Sequence, residues 1–333
     1  MIRKSIALLL SLLLVCFLMA GCNDISDTLP SSQETKSTIS QINSELTAKD
    51  QSKTTKGSGE ENLTTSKTSE ITDNSNSTED ITNLNAATPS DINLETTTYN
   101  LDGISFTMIL VEGGTFTMGS ASRLDDQSPE HEVTLSSYLI GETEVTQALW
   151  QKIMDNNPSK SNNGDDYPVE NVTWNICHDF VDKLNKYMHE ADLIDDDINF
   201  HMLSEAQWEF ASRGGNQSQG FVYSGSNTLS EVGWTSNEDG RVSHKVKQKM
   251  PNELGIYDMS GNVYEWVADY YAPYTSDPQT DPCNLTNINS NRQVIKRGGS
   301  FWYNDEYRYT STYRYAYYED VTDESIGLRI CLY

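Results

Sequence analysis

Residues 251–266 have the sequence PNELGIYDMSGNVYEW, in which Asn, Ser and Gly separate short apolar pieces. These residues favour turns, so the stretch predicts a compact loop-rich segment that ends at a buried Trp266. Upstream, residues 203–215 have the sequence LSEAQWEFASRGG, and Ser204 is followed three residues later by Gln207. That spacing is a capping box, which predicts a helix beginning there.

The chain around these stretches predicts further short elements. Apolar residues recur at helical spacing over residues 146–154 and 175–188, so two more helices are expected there. Residues 109–119 predict two short strands around a Gly-Gly turn, and residues 131–135 alternate as a half-buried strand does. We therefore expect an α+β domain with low regular secondary structure and long loops.

Seven runs of this chain resemble, in the same order, the formylglycine-generating-enzyme (sulfatase-modifying-factor) family. The runs are GTFTMG (114–119), EVTQ (144–147), PVENVTW (168–174), LSEAQWEFASRGG (203–215), PNELGIYDMSGNVYEW (251–266), RGGS (297–300) and IGLR (326–329). They cover nearly all of the expected folded domain, residues 99–333. The resemblance implies a C-type-lectin-like α+β fold.

The catalytic members of that family oxidise a substrate cysteine to formylglycine with two cysteines that hold copper. In the family pattern these cysteines follow Arg-Gly-Gly-Ser at positions that are Tyr303 and Arg308 in this chain. Neither side chain supplies the thiolate that Cu(I) prefers, so we expect no copper and no oxidase activity. The alternative is an enzyme on the same fold, either an oxidase that works without these cysteines or one with another chemistry. Iron-dependent sulfur-transfer relatives use N-terminal histidines, and residues 23–98 contain none.

The resemblance also implies a structural calcium site, because relatives bind calcium at the stretch that matches GNVYEW. Its ligands would be the side-chain oxygens of Asn262 and Glu265 and the backbone carbonyls of Val263 and Tyr264. Calcium takes six to eight oxygen ligands, which this set and water molecules would supply. The alternative is a tight turn in which Asn262 caps backbone groups and Trp266 lies in the core.

Tyrosine is concentrated between Trp302 and Tyr318, in the region that lines the active-site groove of the family. These tyrosines form two sets with a spacing of two residues, so each set would share one face of an extended segment. The first set is Tyr307 and Tyr309, and the second is Tyr313, Tyr315 and Tyr317. Arg308 and Arg314 would point to the opposite face. Tyrosine offers rigid contact area with a polar tip, which suits a binding surface. The expected ligand-binding residues are Trp302, Tyr303, Asn304, Tyr307, Arg308, Tyr309, Tyr313, Tyr315 and Tyr317. The alternative is that some of these rings pack inside the domain.

The same C-terminal stretch is the variable surface of lectin-fold proteins that are diversified by retroelements. Such systems mutate adenines in codons of the asparagine type, which cannot become Trp or Glu. Trp302, Glu306, Glu319 and Glu324 would therefore be fixed positions, whereas the Tyr, Asn, Asp, Ser and Thr residues are compatible with diversification.

Cysteine usage allows few disulfides. Besides Cys22, the exported chain would contain Cys177, Cys283 and Cys331, which permit one intramolecular disulfide and leave one thiol over. Relatives often join the two elements that carry Cys177 and Cys331. The resemblance therefore implies a disulfide between these two residues, with Cys283 free.

The N-terminal region predicts export. Two basic residues precede an apolar run over residues 6–20, which is too short for a membrane span and fits a signal peptide, residues 1–21. Small residues directly before Cys22 resemble a bacterial lipobox, so we expect lipid on Cys22; the alternative is signal cleavage without lipidation. Residues 22–98 are polar and lack aromatic residues, which predicts a disordered tether.

The formal net charge of −26 excludes some partners. Nucleic-acid binding depends on neutralising phosphates, so a polyanion is a poor candidate for it. We expect a protein of the bacterial cell envelope that is lipid-anchored outside the cytoplasm and binds an extracellular protein or a small ligand through the tyrosine-rich groove. A structural envelope component is a further alternative.

Overall fold

A computed structural model describes residues 96–121, 125–161, 164–238, 240–287 and 291–333 of the chain. The expected signal peptide, Cys22 and nearly all of the expected tether lie outside these residues. The strands are β1 (Thr96–Leu101), β2 (Ile104–Val111), β3 (Gly114–Met118), β4 (His131–Leu135), β5 (Tyr138–Gly141), β6 (Phe200–Met202), β7 (Tyr264–Tyr270), β8 (Gln279–Thr280), β9 (Gln293–Arg297), β10 (Arg314–Tyr318), β11 (Ile326–Leu328) and β12 (Ile330–Leu332). The α-helices are α1 (Gln147–Met154), α2 (Trp174–Glu190), α3 (Glu205–Ser212) and α4 (Leu229–Val232), and 3₁₀ turns occupy Asp125–Gln127, Gly215–Gln217 and Glu306–Tyr309.

The strands form three sheets, which confirms the predicted α+β class. Their strand orders are β1-β2-β5-β12-β6, β10-β9-β7-β11 and β3-β4-β8. The predicted strand pair around the Gly-Gly turn forms two strands, but they do not pair with each other. β2 pairs with β1 and β5, whereas β3 pairs with β4, so the turn carries the chain from one sheet to another.

The three predicted helices form where the sequence places them, because each has a side-chain cap. Thr146 accepts a hydrogen bond from the backbone N–H of Leu149 at 3.3 Å, and Thr173 accepts one from Ile176 at 3.1 Å. Ser204 and Gln207 form the predicted capping box at the start of α3. Each cap satisfies a backbone donor that the helix itself leaves unpaired.

Three residues that the sequence analysis assigned to the tether belong to a strand. Residues 96–98 were expected in the tether, yet they form the start of β1, where Thr96 pairs with Ile109 in the antiparallel register of β1 and β2. Threonine favours strands because it is branched at Cβ. The three threonines are exposed at the edge of the sheet, so no apolar pattern marks them.

The sheet that contains β7 and β9 separates the two large core clusters. Tyr264, Trp266 and Val294 pack in one cluster, whereas Val267 and Ile295 pack in the other. Successive side chains of a strand point to opposite faces, so neighbouring residues of β9 enter different environments.

The expected disulfide is absent from the structure. Cys177 on α2 and Cys331 on β12 are both free thiols, and they are buried in different core clusters. A disulfide needs the two Cα atoms within about 7 Å. Cys283 is also free, as expected, and is exposed.

No helix among the described residues is long and apolar enough to cross a bilayer.

Candidate ligand-binding site

The Arg-Gly-Gly-Ser turn after β9 shapes the base of the site. Gly298 and Gly299 have φ values of +97° and +77°, which side-chain-bearing residues rarely adopt. A Cβ on Gly299 would lie 2.5 Å from Cδ1 of Tyr309. The second glycine is therefore required for the close approach of the Tyr309 ring.

Tyr309 anchors the following loop and does not face a ligand, contrary to the sequence-based expectation. Its side chain is fully buried, and its hydroxyl donates to the carbonyl of Ser300 at 2.8 Å and lies against the carbonyl of Tyr303. The hydroxyl of Ser260 donates to the backbone carbonyl of Tyr309 at 2.9 Å. Burial raises the pKa of the Tyr309 phenol, which stays neutral.

Arg308 lies among tyrosine rings. Its guanidinium carbon is 4.4 Å from the ring centroid of Tyr303, 5.2 Å from that of Tyr307 and 5.8 Å from that of Tyr313. It donates to the Tyr313 hydroxyl at 3.0 Å and to a carboxylate oxygen of Asp305 at 3.1 Å. The two positions where the resemblance places catalytic cysteines, 303 and 308, thus form a cation–π contact.

The predicted extended geometry of residues 307–309 is wrong, because Glu306–Tyr309 is a 3₁₀ turn. Tyr307 and Tyr309 therefore do not share a face, and the Arg308 side chain turns toward Tyr303 instead of away from the tyrosines. Side-chain hydrogen bonds of this loop, including the one from Thr310 Oγ1 to the Tyr307 carbonyl at 3.0 Å, support the turned conformation.

The second tyrosine set is confirmed as one face of a strand. Tyr315 and Tyr317 project from β10 with ring centroids 6.1 Å apart, and the Tyr313 centroid lies 6.4 Å from that of Tyr315. Tyr313 is buried, so it supports the face from beneath, while Tyr315 is 38% exposed. Arg314 points to the opposite side, as expected, and binds Glu205.

We call the rings of Tyr264, Tyr303, Tyr307, Tyr313, Tyr315 and Tyr317, which contact one another or share the cations Lys296 and Arg308, the tyrosine face. Besides the buried Tyr309, two of the expected ligand-binding residues lie away from this face. Trp302 is 41% exposed but packs on Arg241, whose guanidinium carbon is 5.3 Å from the ring centroid. Asn304 lines a separate cavity of about 420 Å³ together with Glu306.

Lys296 is a central residue of the site that the sequence did not reveal. Its ammonium nitrogen lies 4.3 Å from the ring centroid of Tyr317, 4.4 Å from that of Tyr264 and 5.2 Å from that of Tyr315. Burial lowers the pKa of Lys296 to about 8; Asp323 acts against this shift and Arg308 acts with it. The only signal in the sequence is a lysine that directly follows the apolar pair Val294 and Ile295.

The opposite face of the same sheet holds a network of buried ion pairs. Arg297 donates to Glu209 at 2.5 Å, Arg314 donates to Glu205 at 2.6 Å, and Arg329 donates to Glu265 at 2.7 Å. Five of these six residues belong to the seven family-like runs, Arg314 being the exception. Those runs therefore build the scaffold behind the site.

The two side chains of the implied calcium site are already engaged in other contacts. Asn262 Oδ1 accepts a hydrogen bond from the backbone N–H of His244 at 2.9 Å, and its Nδ2 donates to Glu144 at 2.8 Å. Both carboxylate oxygens of Glu265 are bound by Arg329, and one also accepts from Trp208 Nε1 at 2.7 Å. Within the described residues, no group of three or more His, Cys, Asp or Glu side chains is arranged to hold a metal.

The thiols of the described residues do not fit copper chemistry either. Burial raises the pKa values of Cys177 and Cys331. Although the residue Cys283 is exposed, its thiol is partly enclosed and lies 3.9 Å from a carboxylate oxygen of Asp269, and both effects raise its pKa to about 12. The thiolate is the form that ligates metals and attacks substrates, and a raised pKa disfavours it.

Comparison with characterised proteins identifies the scaffold. The chain is 35% identical over 196 residues to the chaperone protein LppX of Paenibacillus barcinonensis, a match that covers 45% of this chain and 67% of that protein. It is 29% identical over 181 residues to the formylglycine-generating enzyme of Streptomyces coelicolor, covering 49% of this chain and 52% of the enzyme. The chain thus spans about half the length of that enzyme.

Two solved structures share the fold. Treponema denticola variable protein 1 superposes with a TM-score of 0.63 at 28% identity, covering 71% of this chain and 98% of that protein. PvdO from Pseudomonas aeruginosa superposes with a TM-score of 0.60 at 22% identity, covering 71% and 97%. The family model of the sulfatase-modifying factor enzyme 1-like domain matches residues 104–332. The chain therefore belongs to the sulfatase-modifying factor enzyme 1-like (formylglycine-generating enzyme) family.

Proposed function

We propose that this protein is a non-catalytic binding module whose ligand contacts the tyrosine face. The observation that carries the proposal is the contact between Tyr303 and Arg308 at the two positions where a family enzyme would hold copper. An aromatic ring and a guanidinium fill that space, and neither is a soft metal ligand.

The composition of the tyrosine face supports binding. Tyr307 and Tyr315 are both 38% exposed, while the buried Tyr309 and Tyr313 fix the loop and strand that carry them. Exposed rings on a rigid support lose little conformational entropy when a ligand binds. Such a surface provides contact area together with hydroxyl groups that orient the ligand.

The relatives support the same proposal. One is named a chaperone and another a variable protein, and both names fit a fold that serves recognition. The likeness to a variable protein also supports the proposal that this face is diversified in sequence. Comparison of close variants of the gene tests this, since substitutions should concentrate between residues 303 and 325 and spare Trp302, Glu306, Glu319 and Glu324.

We further propose that lipid on Cys22 holds the domain outside the cytoplasm. The support is the sequence pattern before Cys22 together with the polar segment that follows it. Metabolic labelling with a fatty-acid analogue tests the anchor, and Cys22→Ser should abolish the label. Labelling that persists in this variant would contradict the proposal.

A binding screen with matched variants tests the function itself. The purified chain is applied to peptide and glycan arrays beside the double variant Tyr315→Ser/Tyr317→Ser and the control Tyr318→Ser. Tyr318 lies on the same strand and is 49% exposed, but it projects to the other side. We expect the double variant to lose at least about tenfold in affinity for any ligand found, which corresponds to about 1.4 kcal/mol, and the control to keep it.

The same preparation tests the enzyme alternative. The chain is incubated with copper and a cysteine-containing peptide of the sulfatase type, and the peptide mass is measured. We expect the cysteine to be unchanged. Conversion to formylglycine would overturn the proposed function.

A further inference from the structure

Lys296 is buried without a charged partner. Its residue is 2% exposed, and no carboxylate among the described residues lies within 4 Å of its ammonium. Asp323, the acid that acts on it from a distance, uses its Oδ1 to accept from the N–H and the hydroxyl of Ser325 at 2.9 and 2.6 Å. In the part of the chain that the structure describes, the close compensation of this charge comes from the three ring contacts.

This situation differs from that of every buried arginine nearby. Arg297, the next residue on β9, has bonds to Glu205, Glu209 and two backbone carbonyls. A buried charge without a counter-ion is costly, and tyrosine faces offset only part of that cost. A ligand that brings a negative charge to Lys296 would remove the remainder.

We propose that Lys296 is the anion-recognition residue of the tyrosine face and that the ligand presents a carboxylate to it. The inference rests on the proposed binding function and names the chemical class of the ligand. One uncompensated ammonium matches one monovalent anion. Two donors of Arg308 are already committed to Asp305 and Tyr313, so the site lacks a free arginine fork for a dianionic phosphate.

Access to the ammonium lies on the side of the exposed rings. Tyr315 and Tyr317 come from the edge strand β10, which pairs with β9 only, and Tyr264 closes the inner side. Because the Tyr315 side chain is 38% exposed and its ring lies 5.2 Å from the ammonium, we expect its rotation to give a ligand access to Lys296. The displaced and remaining rings would then contact an aromatic or apolar body attached to the carboxylate.

The charged and titratable groups around Lys296 predict how binding depends on pH. They are Arg308 from the 3₁₀ turn, Asp323 from the loop before β11, and the phenols of Tyr264, Tyr303, Tyr315 and Tyr317. Burial raises the pKa values of Tyr264, Tyr303 and Tyr317, so these phenols stay neutral at pH 8. Carboxylate affinity should therefore be greatest below pH 8 and fall as the pH rises through the pKa of Lys296.

Benzoate and its neutral analogue benzamide serve as the probes. The full chain is labelled with ¹³C at lysine Cε, and the Lys296 signal is assigned with Lys296→Met. We expect benzoate to shift this signal and to raise the pKa of Lys296, whereas benzamide does neither. Lys296→Met should weaken benzoate binding at least about tenfold, as loss of a charge-assisted contact does.

Lys245→Met is the matched control, because Lys245 is an exposed lysine paired with Asp166 at 3.1 Å. We expect it to bind benzoate as the wild-type chain does. Equal benzoate affinity in Lys296→Met, or no shift of the Lys296 signal at any accessible benzoate concentration, would overturn the inference. The proposed function would stand in that case if the Tyr315/Tyr317 variant still lost the ligands found on the arrays.

Discussion

Lys296 and Arg297 are neighbours on β9, yet the two faces of the sheet treat their charges in opposite ways. Arg297 lies opposite Glu265 and Arg314 in the strand registers, on the face where buried glutamates neutralise three arginines. Lys296 lies opposite Trp266 and Tyr315, on the face where aromatic rings surround the ammonium. We call the face with these buried ion pairs the ionic face. Its charges neutralise one another and it serves the fold. The other face carries the ammonium of Lys296, which has no ion pair among the described residues, and this face suits a ligand.

The largest expected change in stability comes from removing an arginine of the ionic face. Arg297→Met leaves Glu209 buried with Arg213 as its remaining cation and removes a partner of Glu205. Removal of one partner from a buried ion pair typically costs about 3–5 kcal/mol. We expect a loss of that size in the free energy of unfolding, measured by urea denaturation.

Lys245→Met is the control variant for this measurement. It removes an exposed ion pair, and such pairs contribute about 0–1 kcal/mol to the free energy of unfolding. If Arg297→Met were no more destabilising than this surface variant, the ionic face would not be the scaffold that we describe.

A smaller effect of opposite sign is expected from Lys296→Met. The folded-state pKa of Lys296 is about 8 instead of the ordinary 10.5, so burial of the ammonium opposes folding at neutral pH. The linkage amounts to about 1–3 kcal/mol, and a methionine of similar length avoids it. We expect the variant to be more stable than the wild-type chain at pH 7 by that amount.

The pH dependence sharpens this prediction. Between pH 8 and 10.5 the unfolded chain binds more protons at this lysine than the folded chain does, so wild-type stability gains from Lys296 as the pH rises. The stability difference between variant and wild type should therefore shrink over this interval. A stability difference that is constant from pH 7 to 10 would show that burial does not destabilise the charged form of Lys296.

The smallest effect is expected from calcium. The side-chain oxygens of Asn262 and Glu265 are committed to His244 and Arg329, so the ion would have to break the Arg329 pair to bind there. We expect the melting temperature to be the same with calcium and with a chelator. A rise with calcium would mean that the ionic face opens to admit a cation.

Local patterns predicted much of the scaffold. The helices follow from caps at Thr146, Thr173 and Ser204, because capping depends on residues within one turn of each other. The family-like runs predicted the fold, and they contain five of the six buried Glu and Arg residues of the ionic face. Trp208 and Glu265, in two different runs, meet through a hydrogen bond of 2.7 Å.

The site was predicted only in part. Tyrosine spacing located β10, where period two applies, but failed at Tyr309, where the chain makes a 3₁₀ turn around the Arg-Gly-Gly-Ser glycines. The disulfide was carried over from relatives, and it fails because Cys177 and Cys331 are buried in different core clusters. The calcium ligands, also carried over, stay a prediction that the melting experiment tests. Lys296 was missed because the sequence does not reveal which aromatic rings will surround a lysine once its strand joins a sheet.

The sequence by itself determined the α+β class, the helix starts, the family-like scaffold and the loss of both catalytic cysteines, since these depend on residue identity and on neighbours along the chain. Only the tertiary structure decided that Tyr309 is an anchor, that Arg308 packs on Tyr303, and that aromatic rings enclose the ammonium of Lys296. These features depend on burial and on contacts between strands, and the electrostatic cost of a charge is set by the groups that folding places around it.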